Sequence, residues 1–243
     1  MNEYRPGGFQ ILPPVIKNLL IINAIVFLAT YVFKKIGLIN LDAYLGLFHW
    51  DSPLFRPWQI ITHIFMHGDF GHLFFNMFAL WMFGSVIENV FGPKRFLIFY
   101  LVCGLGAALC HMLVFHWENA EAIHWFTALD PGMQYQMVRQ IVETNYRVVK
   151  AAPLATPMVG ASGAIFGLLF AFGYLFPNLL IYVYFLFPIK AKYFVAIYAL
   201  LELFYGLRGG PTDNVAHFAH LGGMLFAFLL LRKWNISSRN IRM

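Results

Sequence analysis

Six long apolar runs, separated by short polar or basic segments, constrain the fold of this chain more than any other feature of its sequence. Charged residues make up only 12% of the chain, about half the share that a soluble domain carries, and the mean hydropathy is +0.66. So much apolar surface requires lipid rather than one larger core. We therefore expect an all-α membrane protein, a single domain over residues 1–243. Its predicted transmembrane helices lie at about 15–33, 69–92, 96–115, 160–176, 193–207 and 215–231.

Two stretches between the runs are too long to be simple turns. Residues 34–62 contain prolines and tryptophans and are too broken to span a membrane, yet too apolar for an ordinary solvent loop. We expect this first loop to be half-embedded at the membrane interface. Residues 117–156 form the most polar stretch, an extended outer loop with an amphipathic helix predicted near 133–150. The segments 1–14 and 232–243 are predicted to be short tails.

The basic residues predict the orientation in the membrane. The net charge is +6, but Lys and Arg form small clusters between the apolar runs rather than a continuous basic stripe, which argues against a nucleic-acid partner. Placing both termini in the cytoplasm leaves seven basic residues outside, three of them in the long 117–156 loop, where the positive-inside rule counts least. The residues predicted to lie inside are Arg5, Lys17, Lys94, Arg95, Lys190, Lys192, Arg232, Lys233, Arg239 and Arg242.

Ser162 is a polar residue at the start of an apolar run, within the sequence GASG from Gly160 to Gly163. Small residues also let membrane helices approach closely, so a packing role is the alternative. The helix rises roughly 22 Å from Ser162 to Pro177, against a hydrocarbon thickness of about 30 Å. It therefore begins below the outer surface, under a recess, where its first N–H groups lack intrahelical partners. Ser162 thus combines a hydroxyl with a backbone N–H that can receive an oxyanion.

Other polar residues are predicted to lie at a similar depth. His220 and Asn76 are 11 and 16 residues from the inner ends of their helices, roughly 17 Å and 24 Å, and His72 shares a helix face with Asn76. Histidine is suited to accept the proton of a serine, and amide and imidazole N–H groups can stabilise a tetrahedral intermediate. Glu202 lies in another helix at a depth that the sequence does not fix, so a Ser–His dyad is favoured over a triad.

Three motifs that occur in order along the chain resemble those of the rhomboid family of intramembrane serine proteases. Each motif alone is weakly specific, but three in order across six predicted spans are strongly so. The stretches FGSVIENVFG and FPIKAKYF also look similar to the family, and the resemblance covers about residues 53–232. The motifs are HGDFGHLFFN (with His67, His72 and Asn76), GASG (Gly160 to Gly163) and AHLGG (Ala219 to Gly223).

The resemblance implies a six-transmembrane-helix rhomboid-like bundle and assigns roles to particular residues. Ser162 is implied to be the nucleophile and His220 the general base. The family pattern AHxxG selects His220 rather than His217, because Gly223 falls three residues after His220. For His67 a structural role is favoured. The resemblance further implies an oxyanion hole of His72, Asn76 and the Ser162 backbone N–H, and supporting roles for Gly160, Gly163, Phe166 and Gly223.

Three positions depart from the family pattern. Gln59 follows Trp58 where the family has arginine, which puts the stability of the first loop in question. Phe166 stands where some relatives have a tyrosine that packs on the base; a phenyl ring can still stack on His220 but supplies no hydroxyl. Ala227 replaces the second glycine of a GxxxG pattern, a change that remains compatible with close helix packing.

These features predict an integral membrane enzyme that cuts peptide bonds in or near transmembrane segments of other membrane proteins, with no metal or cofactor. Substrates are expected to enter laterally, toward the recess above the fourth predicted helix. They must unwind locally to be cut, because the carbonyl groups of a helix are hydrogen-bonded. The 208–214 loop is a candidate lid.

Three alternatives have less support. A metal enzyme would need a motif such as HExxH, which the nine histidines do not form. A relative that binds helices without cutting them normally lacks the serine or the histidine. A transporter or channel would need paired charges within the membrane. The sequence leaves the substrate and the oligomeric state open.

Overall fold

The computed structural model describes residues 8–144, 152–183, 186–208 and 216–238. A π-helical segment, Leu80–Gly84, joins α4 to α5, and short 3-10 turns occupy His63–Phe65 and Ala152–Ala155. Strands β1 (Leu180–Val183) and β2 (Phe187–Lys190) form an antiparallel hairpin. The helices are α1 (Pro14–Lys35), α2 (Leu41–Leu45), α3 (Gln59–Thr62), α4 (Phe70–Ala79), α5 (Ser85–Phe91), α6 (Pro93–Glu118), α7 (Ala120–Thr127), α8 (Pro131–Thr144), α9 (Ser162–Leu175), α10 (Ala191–Arg208) and α11 (His217–Lys233).

The predicted all-α membrane bundle is confirmed, apart from the small hairpin between α9 and α10, whose strands are rich in the aromatic and β-branched residues that favour extended structure. Within the described residues, three helices are long and apolar enough to cross a membrane: Pro14–Lys35, Phe70–Phe91 and Pro93–Glu118. Ser162–Leu175 is a shorter apolar helix. Helices α10 and α11 have 18 and 17 residues. That the chain crosses the membrane six times stays a prediction.

The helix that carries His72 begins within one residue of its predicted start, because Asp69 caps it. The Asp69 carboxylate accepts a hydrogen bond from the backbone N–H of His72 at 2.8 Å and so satisfies one N–H group of the first turn. The same span ends at Gly92, whose φ of 75° is easily adopted only by glycine. Pro93 then opens α6, where its missing N–H costs no helical hydrogen bond.

Helices α6, α9 and α11 pack closely because small residues line their contacts. A Cβ added at Gly163 of α9 would collide with the Cβ of Ala107 on α6. One added at Gly223 of α11 would collide with the carbonyl oxygen of Gly163. One added at Gly167 would lie 2.6 Å from Sγ of Cys103. These residues therefore allow the backbones of α9 and α11 to touch, as small residues do in membrane helices.

Helix α9 begins well inside the bundle. Its second residue, Gly163, is level with Ala107 of α6, and α6 continues from residue 107 to Glu118, a further rise of about 16 Å. Helix α9 has 14 residues and is about 21 Å long, less than the hydrocarbon thickness of about 30 Å. Its first turn therefore lies far below the end of its neighbour, in agreement with the predicted recess.

A buried carboxylate holds the start of α1 against the end of α5. Glu88 accepts hydrogen bonds from the backbone N–H groups of Val15 at 3.0 Å and Ile16 at 2.8 Å. It thereby satisfies two unpaired groups of the first turn of α1 and places negative charge at the positive end of the helix dipole. Trp234, just after α11, packs on Phe91 at the same place. The start of α1 and the end of α11 therefore lie at the same end of the bundle.

Gln59, which stands in place of the family arginine, fastens the first loop. Its side chain is fully buried. Its Oε1 accepts hydrogen bonds from the backbone N–H groups of Arg56 at 3.0 Å and Phe48 at 3.4 Å, and its Nε2 donates to the carbonyl oxygen of Leu54 at 3.0 Å. The amide thus joins separate parts of the loop, so the replacement of arginine does not leave the loop without a polar centre.

The first loop also pairs with the segment that precedes α9. Leu47 and Met158 exchange two backbone hydrogen bonds, of 2.9 Å and 2.8 Å. The N–H of Gly160 donates to the carbonyl oxygen of His63 at 2.9 Å. The first loop and the adjoining His63 therefore hold the chain at Met158 and Gly160, which lie four and two residues before Ser162.

The 117–156 segment contains a small hydrophobic core of its own, and Leu54 of the first loop packs against that core. The amphipathic helix predicted near 133–150 corresponds to α8, Pro131–Thr144, while residues 145–151 lie outside the described part. The buried residues of this core are Ile123, Phe126, Val138, Ile141, Leu154 and Ala155.

Candidate active site

Ser162 and His220 lie within hydrogen-bonding distance of each other. Nε2 of His220 is 2.9 Å from Oγ of Ser162. Ser162 is the first residue of α9, and His220 lies one turn into α11 and is 7% exposed. Their contact follows from the close approach of these two helices at Gly163 and Gly223. The structure therefore brings the predicted pair together.

The ring of Phe166, one turn after Ser162, lies flat on the ring of His220. The ring centroids are 4.0 Å apart and the planes differ by 3°. This contact fixes the plane of the imidazole, so its nitrogens can point only along that plane. The phenyl ring thus stacks on His220 without supplying a hydroxyl.

The sequence left the position of Glu202 open and therefore favoured a dyad, but the structure places this acid beside His220. Oε2 of Glu202, on α10, is 2.9 Å from Nδ1 of His220 and 2.6 Å from Nδ1 of His217. The contact with His217 is aligned as a hydrogen bond, whereas Nδ1 of His220 has no aligned hydrogen bond among the described residues. The carboxylate therefore acts on His220 mainly through its charge. The sequence could not place Glu202, because it fixes neither the depth of this residue nor the face of α10 that meets α11.

The backbone before Ser162 lies against His72. Gly160 has a φ of 126°, a left-handed value that favours glycine. A Cβ on Gly160 would be 2.9 Å from Nε2 of His72 and 3.6 Å from Oγ of Ser162. The imidazole of His72 and the hydroxyl of Ser162 therefore border the same glycine, and any other residue there would push them apart.

Asn76 follows His72 by one turn of α4 and so lies on the same helix face. The Asn76 side chain is buried, and its amide nitrogen has no hydrogen-bond partner within the described part of the chain. An unpaired buried donor costs about 1–3 kcal/mol. Such a donor is suited to a site where an acceptor forms only during the reaction.

A small cavity adjoins Ser162. Its volume is about 10 Å³, room for about one water molecule, and His63, Met158 and Ala216 are among the residues that line it. In the described residues, no side chain caps the first turn of α9. The N–H groups of that turn are therefore available to an anion, as they are in anion sites at other helix N-termini.

The remaining candidate residues lie around this centre. His217 bonds to Glu202 and stacks on Tyr205, with centroids 5.8 Å apart. His67 is buried edge-on to His72 at 5.1 Å, a packing position consistent with a structural role. The predicted 208–214 lid cannot be placed, because residues 209–215 lie outside the described residues.

A comparison with protein-family models identifies the family of the chain. Residues 55–233 match the model of the Rhomboid domain. This chain belongs to the rhomboid family. The resemblance of the three motifs is thereby confirmed, and with the apolar helices it makes the chain an integral membrane protein of that family.

Curated rhomboid proteins from plants, fungi and bacteria are similar to this chain. RHOMBOID-like protein 12, mitochondrial, of Arabidopsis thaliana is 30% identical over 213 residues, 88% of this chain and 56% of the relative. Rhomboid protein 1, mitochondrial, of Saccharomyces cerevisiae is 30% identical over 182 residues, 74% and 42%. Rhomboid protease GluP of Bacillus subtilis is 34% identical over 65 residues, 27% and 13%. This rhomboid chain spans about half the length of the first two relatives.

Proposed function

We propose that this rhomboid-family protein is an intramembrane serine endopeptidase with Ser162 as nucleophile and His220 as general base. The observation that carries the proposal is the 2.9 Å distance between Nε2 and Oγ, since a serine nucleophile needs a base at about 2.6–3.2 Å. With the imidazole proton on Nδ1, Nε2 is free to accept the hydroxyl proton. Family membership supports the reaction class, and GluP, one of the relatives, is named as a rhomboid protease.

In the first step, Oγ of Ser162 attacks the carbonyl carbon of the scissile peptide while its proton passes to Nε2 of His220. The imidazolium that forms lies against the ring of Phe166 and beside the carboxylate of Glu202, whose charge stabilises it. His220 then gives the proton to the leaving amine, and an acyl-enzyme remains. A water molecule from the recess hydrolyses the ester with His220 again as base.

The tetrahedral intermediate carries its negative charge at the first turn of α9. We expect the backbone N–H of Ser162 to donate to this oxyanion, and the helix dipole favours the charge. The amide of Asn76 and the ring N–H of His72 are the side-chain donors of the proposed oxyanion hole. The unpaired state of the Asn76 amide supports this role.

The substrates of the proposed enzyme are transmembrane segments of other membrane proteins. A helical peptide bond is shielded by its own hydrogen bonds, so we expect cleavage near Gly, Pro or small polar residues that let the helix unwind near the outer membrane face. Both termini are assigned to the cytoplasm. The basic residues Lys94, Lys192 and Lys233 support this orientation, because they lie at the end of the bundle where Glu88 holds the start of α1.

The test compares wild type, Ser162→Ala and His220→Ala on a synthetic transmembrane substrate in detergent. Each variant is expected to lose at least about 10⁴-fold in kcat, as enzymes do when a nucleophile or its base is removed. Ser85→Ala is the matched control, because Ser85 is also a buried serine in an apolar helix, and it is expected to keep activity. Cleavage that persists in Ser162→Ala would contradict the proposal.

A fluorophosphonate probe gives a check that needs no substrate. It is expected to label wild type and Ser85→Ala at Ser162 and to leave Ser162→Ala unlabelled. If folded wild type neither cleaves nor becomes labelled, the chain is a helix-binding member of the family rather than a protease.

A further inference from the structure

Two groups of side chains among the described residues have the composition of a metal site: Glu202–His217–His220 and His49–Asp51–His116. The distances between the ligand atoms distinguish the two groups. Zinc binds its ligands at about 2.0–2.1 Å in a tetrahedron, which places the ligand atoms about 3.3 Å apart. In the first group the distances from Glu202 are 2.6 Å and 2.9 Å, the range of charge-assisted hydrogen bonds. That group is therefore more closely spaced than zinc ligands, and it belongs to the candidate active site.

The second group has the spacing of metal ligands. Oδ2 of Asp51 lies 3.4 Å from Nδ1 of His49 and 3.8 Å from Nδ1 of His116. Both distances are too long for strong hydrogen bonds to a carboxylate, and both are within half an ångström of the tetrahedral value given above. The three residues come from two elements, because His49 and Asp51 lie in the first loop and His116 lies in the last turn of α6.

Hydrogen bonds within this group indicate where its protons lie. The backbone N–H of Asp51 donates to Nδ1 of His49 at 3.2 Å, so this nitrogen carries no proton. Nε2 of His49 therefore carries the proton and donates to Nδ1 of His116 at 3.3 Å. Both Nδ1 atoms are thus unprotonated, and a bound cation would replace the long hydrogen bonds that they accept.

The surroundings of the group suit a bound ion. The side chain of His49 is 1% exposed and is held by Trp50 and Phe115, with ring centroids 4.2 Å and 5.4 Å away. The side chains of Asp51 and His116 are 30% and 46% exposed. One ligand is therefore rigid and two are accessible to solvent, so an ion can arrive from water and the more exposed His116 can adjust.

We propose that His49, Asp51 and His116 form a binding site for a zinc ion, or a transition metal ion of similar ligand preference, completed by water. The ion joins the first loop to the outer end of α6. The same loop contains Leu47, which pairs with Met158 four residues before Ser162. The ion therefore stabilises one wall of the candidate active site without taking part in its chemistry, and the site does not depend on the proposed protease function.

The test uses the full chain in detergent, without a polyhistidine tag, after removal of metal with EDTA. Calorimetric titration with zinc is expected to show one site per chain. Asp51→Asn and His116→Asn are each expected to weaken binding by at least about tenfold, the loss typical of an altered metal shell. Zinc is also expected to raise the Tm of wild type in a concentration-dependent way, and the same rise in His116→Asn is expected to require at least about tenfold more zinc.

Two matched variants locate the ion. His124→Asn removes an exposed histidine from the same outer region, and His217→Asn removes a histidine from the Glu202 group; both are expected to bind zinc like wild type. Equal binding by wild type and His116→Asn, or a loss of binding confined to His217→Asn, would overturn the proposal. The measurements are repeated in Ser162→Ala, so the outcome is independent of whether the chain is a protease.

Discussion

Helices α9 and α10 follow one another in the chain and differ in how much of their surface is buried. Most residues of α9 are buried between α6 and α11, whereas only Ala191 and Val195 are buried among the described residues of α10. Ser162 comes from the first helix and Glu202 from the second. The two atoms that are proposed to exchange a proton are therefore held by a close backbone contact, while the carboxylate beside them is carried by a helix with few buried residues.

Because of this difference, we expect the residues of the candidate site to differ in how strongly their substitution affects catalysis. The distance from Ser162 to His220 depends on glycines that admit no side chain. The distance from Glu202 to His220 depends on a helix that exposes aliphatic and aromatic side chains such as Leu200 and Phe204. We expect catalysis to respond sharply to changes between α9 and α11 and more gently to changes on α10.

The largest effect is expected from Gly223→Ala. The added methyl group collides with the carbonyl oxygen of Gly163, so α9 and α11 must separate and the variant loses about 3 kcal/mol of stability or more. Gly206→Ala on α10 is the matched control, since its methyl group would lie 3.1 Å or more from Phe218 and His217. Thermal unfolding and proteolysis assays measure both variants. Equal losses in the two variants would mean that α10 packs as tightly as α9.

A smaller effect is expected from Glu202→Gln. The amide keeps the size of the side chain but removes the charge that stabilises the imidazolium of His220. The kcat is expected to fall about tenfold, corresponding to about 1.4 kcal/mol of transition-state stabilisation, and the rate of fluorophosphonate labelling is expected to fall with it. A loss as complete as in Ser162→Ala would indicate a rigid triad. An unchanged rate would remove Glu202 from the mechanism.

The smallest effect is expected from Phe166→Leu. Loss of the stacked ring leaves His220 less well oriented, and aromatic pairs contribute about 0.5–1.5 kcal/mol beyond buried area, so the kcat is expected to fall several-fold. Phe170→Leu is the matched control. Phe170 lies one turn further along α9 and packs on Tyr174 and Phe228 rather than on His220. Steady-state kinetics of both variants separate orientation from packing, because a similar fall in both would show that only helix packing was lost.

The sequence predicts well which helix positions lie at a similar height in the bundle, because height along a helix follows from a constant rise per residue. The starts of α9 and α11 and the N-cap of α4 lie near their predicted positions, and Ser162 contacts His220 as the common depth suggested. The place of Glu202 could not be predicted, because its contact depends on how α10 is rotated and which helices adjoin it. These properties arise from packing of the whole bundle.

The first loop shows a second limit of sequence patterns. The change from the family arginine to Gln59 suggests a weakened loop when only residue types are compared. In the structure the Gln59 amide reaches backbone groups of Arg56, Phe48 and Leu54. A hydrogen-bonding role depends on where backbone donors and acceptors lie, and a motif does not record that.

The bond between Glu88 and the start of α1 has a consequence for the order of events during synthesis. The carboxylate lies 72 residues after Ile16, a delay of roughly 4 to 14 s at typical rates of translation. Until it is made, the first N–H groups of α1 must bond to water or lipid headgroups, which keeps the end of that helix at the membrane surface. The contact between the first two apolar helices can therefore form only when the end of the second lies on the same side of the membrane as the start of the first.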